Sequence, residues 1–391
     1  MSQLLNERWS ETKEALLEGL TGNRRASMNV CLENTRRSLT ESATAGATSA
    51  GNVATLNRVI LPVIRRVMPT VIANEIIGVQ PMTGPVGQIH TLRVRYADGV
   101  GSGDVVTAGE EALSPFKIAS AYSGDNVSKA AATSTLEGTP GKRMSIQILK
   151  TPVEAKSRKL SARWTFEAAQ DAQAQQGIDI EAEIMAALAQ EITAEIDQEI
   201  LASLRSLASL EETYDQALVS GTATFVGDEH AALAIQINRV SNLIAQRTRR
   251  GAGNWAVVSN QALTILQSAT TSAFARTTEG TFEAPTNTKF VGTLNGAMRV
   301  YVDAYLSDTD NNNQVLIGYK GASEADAAAF YCPYIPLMSS GVVLDPATFE
   351  PVVGFLTRYG YVELSNTASS LGNAADYLGK VAIESGNVSF K

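Results

Sequence analysis

A long helical pattern beginning at Asp179 restricts the fold of this chain more than any other feature. Isoleucine or leucine recurs there at every fourth residue, at positions 180, 184, 188, 192, 196, 200 and 204. Each step of four exceeds one turn by about 40°, so six steps wind the apolar stripe about 240° around the helix. A coiled coil keeps its stripe on one face. We therefore predict one helix, N-capped by Asp179 and roughly 45 Å long, that changes packing partners along its length.

The composition argues against several classes of protein. The chain has 391 residues, of which 44% are hydrophobic, and a net charge of −8. A general nucleic-acid binder is disfavoured, because neutralising phosphates requires a basic surface. The two cysteines, Cys31 and Cys332, lie far apart and suit a reducing compartment or incidental thiols. There is neither a signal-like N-terminus nor an apolar run of roughly 20 residues, so we expect cytoplasmic synthesis and no membrane association.

Two segments have compositions that cannot build a core of their own. Residues 42–55 are small and polar, which is typical of an extended arm. Residues 97–145 are rich in Gly, Ala, Ser and Thr and lie between two strand patterns, so we predict an extended loop or hairpin that rests on another surface. Before the arm, two short amphipathic helices over residues 2–20 and 24–39 are marginal alone and need a partner.

The remaining segments alternate between strand and helix patterns. A strand is predicted over residues 156–166 and a helix over 229–249. Further strands are predicted over residues 255–259, 298–306, 314–321 and 349–364, with a short helix over 261–267. This mixture predicts an α+β fold.

Residues that carry catalytic or metal chemistry are scarce. His90 and His230 are the only histidines, and they lie in different predicted elements without metal-ligand spacing. A run that begins at Asp308 resembles the start of a calcium loop, but Asn313 and Tyr319 occupy the positions that require glycine and glutamate. Neither cysteine has an adjacent base. We therefore expect no catalytic residue, no metal site and no cofactor.

Charged residues alternate along the predicted strand at 156–166 and recur on the long helix. Two interpretations remain open: they pair with one another or with a neighbouring subunit, or they form solvated faces. The candidate subunit contacts are Lys156, Arg158, Lys159, Arg163, Glu181, Glu191 and Glu195.

Four long stretches resemble the major head proteins of T-even-like tailed bacteriophages, members of the Hong Kong 97-type capsid fold family. The stretches begin VIRRVMPTVIANEIIGVQPM (from 63), VEAKSRKLSARWTFEAAQ (from 153), IGYKGASEADAAAFYCPYIPL (from 317) and DPATFEPVVGFLTRYGYVEL (from 345). They occur in the order of the family, which makes the resemblance specific. The T-even relatives also carry a large domain inserted in the E-loop region, for which this chain has no room.

The resemblance implies a division of the chain into the parts of that fold. We expect an N-terminal helical assembly segment over residues 1–41, an N-terminal arm and the start of the peripheral domain over 42–90, the E-loop over 91–153, the peripheral domain with its spine helix over 154–225, the axial domain over 226–345, and a return to the peripheral domain over 346–391.

The resemblance also implies a function. It is that of a structural major capsid protein that self-assembles into hexameric capsomers of an icosahedral head enclosing a double-stranded DNA genome. Whether the same chain forms the pentamers stays open. The implied partners are a scaffold and a maturation protease, the portal, decoration proteins, and packaged DNA by non-specific contact. The alternatives are a vertex paralogue, an encapsulin-like nanocompartment shell, or a cytoplasmic α/β enzyme or binding module.

One processing site follows from the resemblance. In the T-even relatives the maturation protease cuts after a glutamate that has leucine or isoleucine two residues before it. Leu39 and Glu41 fit that motif, so the predicted bond is the one between Glu41 and Ser42. Other matches exist, such as Leu5 with Glu7 and Leu210 with Glu212, but only this one separates a predicted helical segment from a predicted extended arm, where a protease can bind the backbone.

Overall fold

The structure is a computed structural model. It describes residues 9–10, 13–45, 71–99, 106–110, 112, 122–124, 130–138, 140–176, 179–219, 226–248, 250–269, 274–276, 289–306, 313–324, 326–345, 347–348, 350–364, 374–384 and 388. The longer helices are α1 Gly22–Ala45, α2 Phe166–Gln176, α3 Ile180–Leu207, α4 Val226–Thr248 and α5 Asn260–Ser268. Single helical turns are Ala73–Ile76, Thr133–Leu136, Gln216–Val219 and the 3-10 turn Ala374–Tyr377.

The described strands form three sheets. The strands are β1 Gly78–Val79, β2 Val86–Tyr96, β3 Met144–Glu154, β4 Lys156–Arg163, β5 Ser209–Tyr214, β6 Trp255–Val258, β7 Phe274–Arg276, β8 Lys289–Leu294, β9 Met298–Val302, β10 Gln314–Gly318, β11 Ala329–Leu344, β12 Pro351–Glu363 and β13 Leu378–Ile383. One sheet has the order β1-β11-β12-β4, another the order β5-β13-β10-β6-β9-β8-β7, and β2 pairs with β3. The predicted α+β class is confirmed.

The described chain divides into two compact units. The first takes its residues from Met1–Gly87, Val153–Ser203 and Phe330–Val362. The second takes its residues from Gln88–Pro152, Leu204–Ala329 and Glu363–Lys391. The four-stranded sheet belongs to the first unit and the seven-stranded sheet to the second.

These units differ from the predicted domain boundaries in several places. Residues 204–225, predicted in the peripheral domain, belong to the second unit. Two further differences involve β11 and β13. The predicted axial domain ended at residue 345, but from Phe330 onward β11 lies between β1 and β12 in the four-stranded sheet. The last segment was expected to stay with the peripheral domain. Instead β13 pairs with β5 and β10 in the seven-stranded sheet. Backbone pairing with distant strands, which the local pattern does not reveal, sets both boundaries.

The first unit is organised around α3. Asp179 Oδ1 accepts a hydrogen bond from the Glu181 amide at 3.1 Å, which confirms the predicted N-cap. The buried Asp197 on α3 accepts the Ile72 amide at 2.9 Å and so fixes the start of the turn Ala73–Ile76. The last five positions of the predicted stripe are all buried: Leu188, Ile192, Ile196, Ile200 and Leu204.

The end of α3 confirms the change of partners that its winding stripe predicted. Residues up to Ser203 belong to the first unit, and those from Leu204 onward belong to the second. The helix ends at Leu207, because the chain continues as β5, which pairs in parallel with β13.

The second unit has its core between the seven-stranded sheet and α4. The predicted apolar positions of α4, Leu233, Ile237, Val240 and Ile244, are all fully buried. Ser259 caps α5 by accepting the Ala262 amide at 3.1 Å.

The second unit contains a buried ion pair between Arg205 and Asp303. Arg205 Nη2 lies 2.5 Å from Asp303 Oδ2, and the two side chains are 12% and 0% exposed. The other oxygen of Asp303 accepts the Tyr305 amide at 3.1 Å. A charge pair at this depth depends on both partners, because either charge alone would be buried without compensation.

We therefore expect Asp303→Ala to lower the free energy of unfolding by about 3–5 kcal/mol, since it leaves the Arg205 charge unpaired. The matched control is Arg239→Ala, which breaks a 3.0 Å pair with Glu212 in which the arginine side chain is 68% exposed. That variant should cost less than about 1 kcal/mol. Urea unfolding of the purified subunit measures both, and equal losses would contradict a role for burial.

Candidate functional site

The basic candidate contacts lie on β4, at the edge of the four-stranded sheet in the first unit. β4 pairs antiparallel with β12, from Lys156 opposite Tyr359 to Arg163 opposite Val352. Arg158 is half-buried on the same side of the strand as the partly buried Leu160. Lys156, Lys159 and Arg163 are exposed. The alternation of the strand thus separates Arg158 from Lys159 and Arg163, whereas Lys156 lies on the same face as Arg158 but is exposed at the start of the strand.

Arg158 joins three elements of the first unit. Its Nη1 lies 2.6 Å from Glu195 Oε2 and its Nη2 lies 2.5 Å from Glu199 Oε2, both on α3. Its Nε donates to the Tyr359 hydroxyl on β12 at 2.6 Å, and that hydroxyl donates to Glu199. Because Glu195 and Glu199 are four residues apart, they lie on one face of the helix. We call these four residues the Arg158 clamp.

Within the Arg158 clamp, the pKa values of Glu199 and Tyr359 are shifted in opposite directions. Burial raises the pKa of Glu199, but hydrogen bonds from Tyr359 and Arg158 outweigh burial, and the net pKa is lowered. Burial also raises the pKa of Tyr359, and its hydrogen bond to Glu199 raises it further. The tyrosine therefore stays a donor and the carboxylate an acceptor. This arrangement holds elements together and offers no group poised for proton transfer.

The other candidate contacts are not brought together. Arg163 Nε lies 3.8 Å from Glu350 Oε2, with 70% of the arginine side chain exposed. Among the residues that the structure describes, Lys156, Lys159, Glu181 and Glu191 form no ion pair. Sequence reasoning left Glu199 and Tyr359 out of the candidates. The spacing of four residues from Glu195 was a signal for Glu199, whereas nothing local pointed to Tyr359.

The two-stranded sheet of β2 and β3 exposes an apolar face. The Ala155 amide donates to Pro85 O and the Ala97 amide to Arg143 O, each at 2.9 Å, so the strands run antiparallel. On β3, every second residue from Met144 to Ile148 lies on the same face of the sheet. These residues, Met144, Ile146 and Ile148, are 53%, 68% and 61% exposed. A contiguous exposed apolar face of this kind is typical of a surface that another molecule covers.

The predicted processing residues lie inside a helix. Leu39, Glu41 and Ser42 belong to α1, which continues to Ala45. The predicted helix end at Leu39 is therefore wrong: residues 42–45 contain two alanines and no glycine or proline, and the first glycine comes at position 46. Cleavage after Glu41 stays a prediction. The rest of the predicted arm, residues 46–70, lies outside the described residues.

The sparse chemical residues do not assemble into a site within the described chain. Buried His230 has Nδ1 at 2.5 Å from Ser268 Oγ. No group of three or more His, Cys, Asp or Glu side chains among the described residues could hold a metal ion. The run that begins at Asp308 falls outside the described residues up to Asn312. No described helix is sufficiently long and apolar to span a membrane.

Comparison with known proteins gives a consistent result across most of the chain. The family model described as "Major capsid protein Gp23" matches residues 53–139 and 126–383. The major capsid protein of Vibrio phage KVP40 is 29% identical over 419 aligned positions, covering 84% of this chain and 80% of that protein. The major capsid protein of Enterobacteria phage T6 is 30% identical, covering 81% of this chain and 79% of that protein.

Solved structures also match. The capsid of Myoviridae phage XM1 is 10% identical with a TM-score of 0.43, covering 78% of this chain and 89% of that one. The mature capsid of bacteriophage PhiM1 is 12% identical with a TM-score of 0.45, covering 78% of this chain and 83% of that one.

The lowered pKa of Glu199 makes the Arg158 clamp sensitive to acid. Ionised Glu199 stabilises the fold above the pKa of an unfolded glutamate, about 4.3. This stabilisation is lost as the pH falls through the lowered folded-state pKa. We expect Glu199→Gln to reduce the free energy of unfolding by about 1 kcal/mol at neutral pH, a modest value because the pair is partly exposed to solvent.

The difference between wild type and Glu199→Gln should shrink between about pH 5 and about pH 3. Urea unfolding at several pH values measures it. Glu191→Gln is the matched control, because Glu191 is exposed on the same helix and forms no ion pair within the described chain. A difference for Glu199→Gln that does not change with pH would contradict the clamp.

Proposed function

The chain belongs to the Gp23 family of major capsid proteins, and from that premise we propose that it is the structural subunit that self-assembles into capsomers of a tailed phage's icosahedral head. The extent of the family match carries this proposal. It runs from residue 53 to residue 383 and so includes described residues of both units. Relatives named as major capsid proteins cover about four fifths of the chain at about 30% identity.

The described structure supports this role through the apolar face on β3. Exposed Met144, Ile146 and Ile148 would cost solvation free energy in an isolated subunit, at about 25 cal/mol per Å² of apolar surface. In a capsomer, this face of the E-loop would be buried against a neighbouring copy. Part of the stability of the subunit would then come from association.

We also propose which part of the structure serves as each part of the capsid fold. The first unit, with α3 as the spine helix, serves as the peripheral domain. The second unit serves as the axial domain over residues 204–329 and 363–391, and the segment 88–152 serves as the E-loop. The long helix, the extended two-stranded sheet and the α/β unit that this fold implies are all found in the described chain.

The proposed partners follow from the same role. The chain would meet other copies of itself, a scaffold and a maturation protease during assembly, then the portal and decoration proteins in the virion. Lys156, Lys159, Glu181 and Glu191 are the charged residues best placed for contacts with other subunits, since they form no ion pair within the described chain. The net charge of −8 favours only weak, non-specific contact with packaged DNA. The protein would be made in the bacterial cytoplasm and reside in the virion.

Electron microscopy of the protein expressed alone tests the proposed role. We expect shells, tubes or hexamers, and a sample of dispersed monomers would contradict it. Ile146→Asp should block assembly while preserving the circular dichroism spectrum, because it places a charge on the exposed apolar face of β3. Gln147→Asp is the matched control, because it adds the same charge on the opposite face of the strand.

Cleavage of the chain is a separate prediction. The intact mass of the chain from infectious particles should correspond to a start at Ser42. Particles carrying Glu41→Gln should retain the full-length mass, because the protease motif is lost. A full-length mass in wild-type particles would refute cleavage at this bond without affecting the assembly prediction.

A further inference from the structure

Helix α1 is held by buried side chains and is part of the core of the first unit. Met28, Cys31 and Leu32 are 2%, 0% and 1% exposed. Leu16 and Leu17, in the helical residues 13–17 that precede α1, are 8% and 5% exposed. Burying methionine and leucine side chains contributes roughly 1.5–3 kcal/mol each. The segment before the predicted cleavage site is therefore bound by a considerable apolar contact.

The side-chain amide of Asn34 adds two buried hydrogen bonds to this apolar contact. Asn34 is 4% exposed, and its Nδ2 donates to Met82 O at 2.7 Å and to Tyr334 O at 3.0 Å. These two carbonyls come from separate segments, the one that follows β1 and the one within β11. Both would lose this donor if α1 left, and an unsatisfied buried group costs about 1–3 kcal/mol.

The first described residues also bind α1. Trp9 Nε1 donates to Glu33 at 3.5 Å, and Lys13 Nζ lies 3.7 Å from the same carboxylate. Arg36 lies over the Trp9 ring at 5.9 Å from its centroid. At the other end of the contact, Arg24 forms an ion pair with Glu75. Residues before and after the turn that precedes α1 therefore both contribute to holding α1 in place.

One of the two cysteines lies at this contact. Cys31 Sγ on α1 is 3.9 Å from Pro333 O, and Cys31 is fully buried. Burial raises the pKa of Cys31 to about 12. Protonated, buried thiols react slowly. The reactivity of Cys31, which α1 itself carries, therefore reports whether α1 is in place.

We propose that residues 9–10 and 13–36 form an intramolecular cover over the surface of the first unit around Met82, Pro333 and Tyr334, and that cutting the chain behind this cover does not release it. Release requires that surface to rearrange or α1 to unfold from it. The cover is an inference separate from the proposed assembly role. Its one link to that role is that assembly would supply the rearrangement that releases the cover. It also does not depend on the Glu41 bond being the one processed.

The test uses the full chain with a tobacco etch virus protease site introduced in the small, polar stretch 46–52. After complete cutting, size-exclusion chromatography at micromolar concentration should show the N-terminal fragment eluting with the remainder of the chain. The thiol reagent DTNB should react slowly with Cys31 before and after the cut, measured in a Cys332→Ala background so that Cys31 is the one thiol followed. A fragment that elutes separately, or a Cys31 thiol that reacts as fast as free cysteine, would overturn the proposal.

Two asparagines of α1 provide matched variants. Asn34→Ala should speed the reaction of the Cys31 thiol by about tenfold or more and promote loss of the fragment after cutting, because two carbonyls lose their donor. Asn29→Ala should change neither, because the Oδ1 of Asn29 has no hydrogen-bond partner among the described residues. Equal effects of the two variants would contradict the role of Asn34.

The wild-type cut keeps the proposal falsifiable even if Asn34→Ala fails to fold. All measurements are made in the Ile146→Asp background, in which assembly is expected to be blocked, so they are independent of whether shells form. Failure of the cover and failure of the capsid role would therefore be distinguished.

Discussion

The packing of the first unit depends on three acidic side chains of α3, namely Glu195, Asp197 and Glu199. The Arg158 clamp attaches β4 and β12 to the helix at Glu195 and Glu199. Between them, buried Asp197 receives the Ile72 amide and fixes the chain that leads into β1. Three acidic residues within five positions thus bind chain segments from three distant parts of the sequence: β4, β12 and the segment that leads into β1. An apolar stripe alone would allow the helix to slide or rotate, whereas these directional bonds fix its register.

The parts that sequence reasoning found are those that local physics determines. The helix at Asp179, its N-cap and its buried stripe follow from spacing and capping, which need no knowledge of distant partners. The end of α1 was missed because alanine and threonine suit both an arm and a helix, and only the structure shows that the helix continues to Ala45. Tyr359 was missed because it reaches Glu199 from 160 positions away. The same reason explains the domain boundaries, since the pairing of β11 and β13 is non-local.

The ion pairs within the subunit differ in burial from the charges that we propose for contacts between subunits. Pairs such as Arg205 with Asp303 are buried, so water and salt hardly weaken them. The basic residues Lys156 and Lys159 on β4 are exposed. Exposed charges are screened over about 10 Å at moderate salt, so contacts made through them are weak and reversible. Such contacts suit subunits that must correct their positions before a shell closes.

The β2–β3 pair has a mechanical consequence. A sheet of two strands has few internal constraints on its twist, and such sheets are only marginally stable without a partner. Bending it therefore costs little free energy, while the hydrogen bonds between its strands preserve its length. The β2–β3 sheet can therefore change its direction relative to the rest of the subunit, but not its length. In a curved shell, identical chains could then meet neighbours at slightly different angles without any change of sequence.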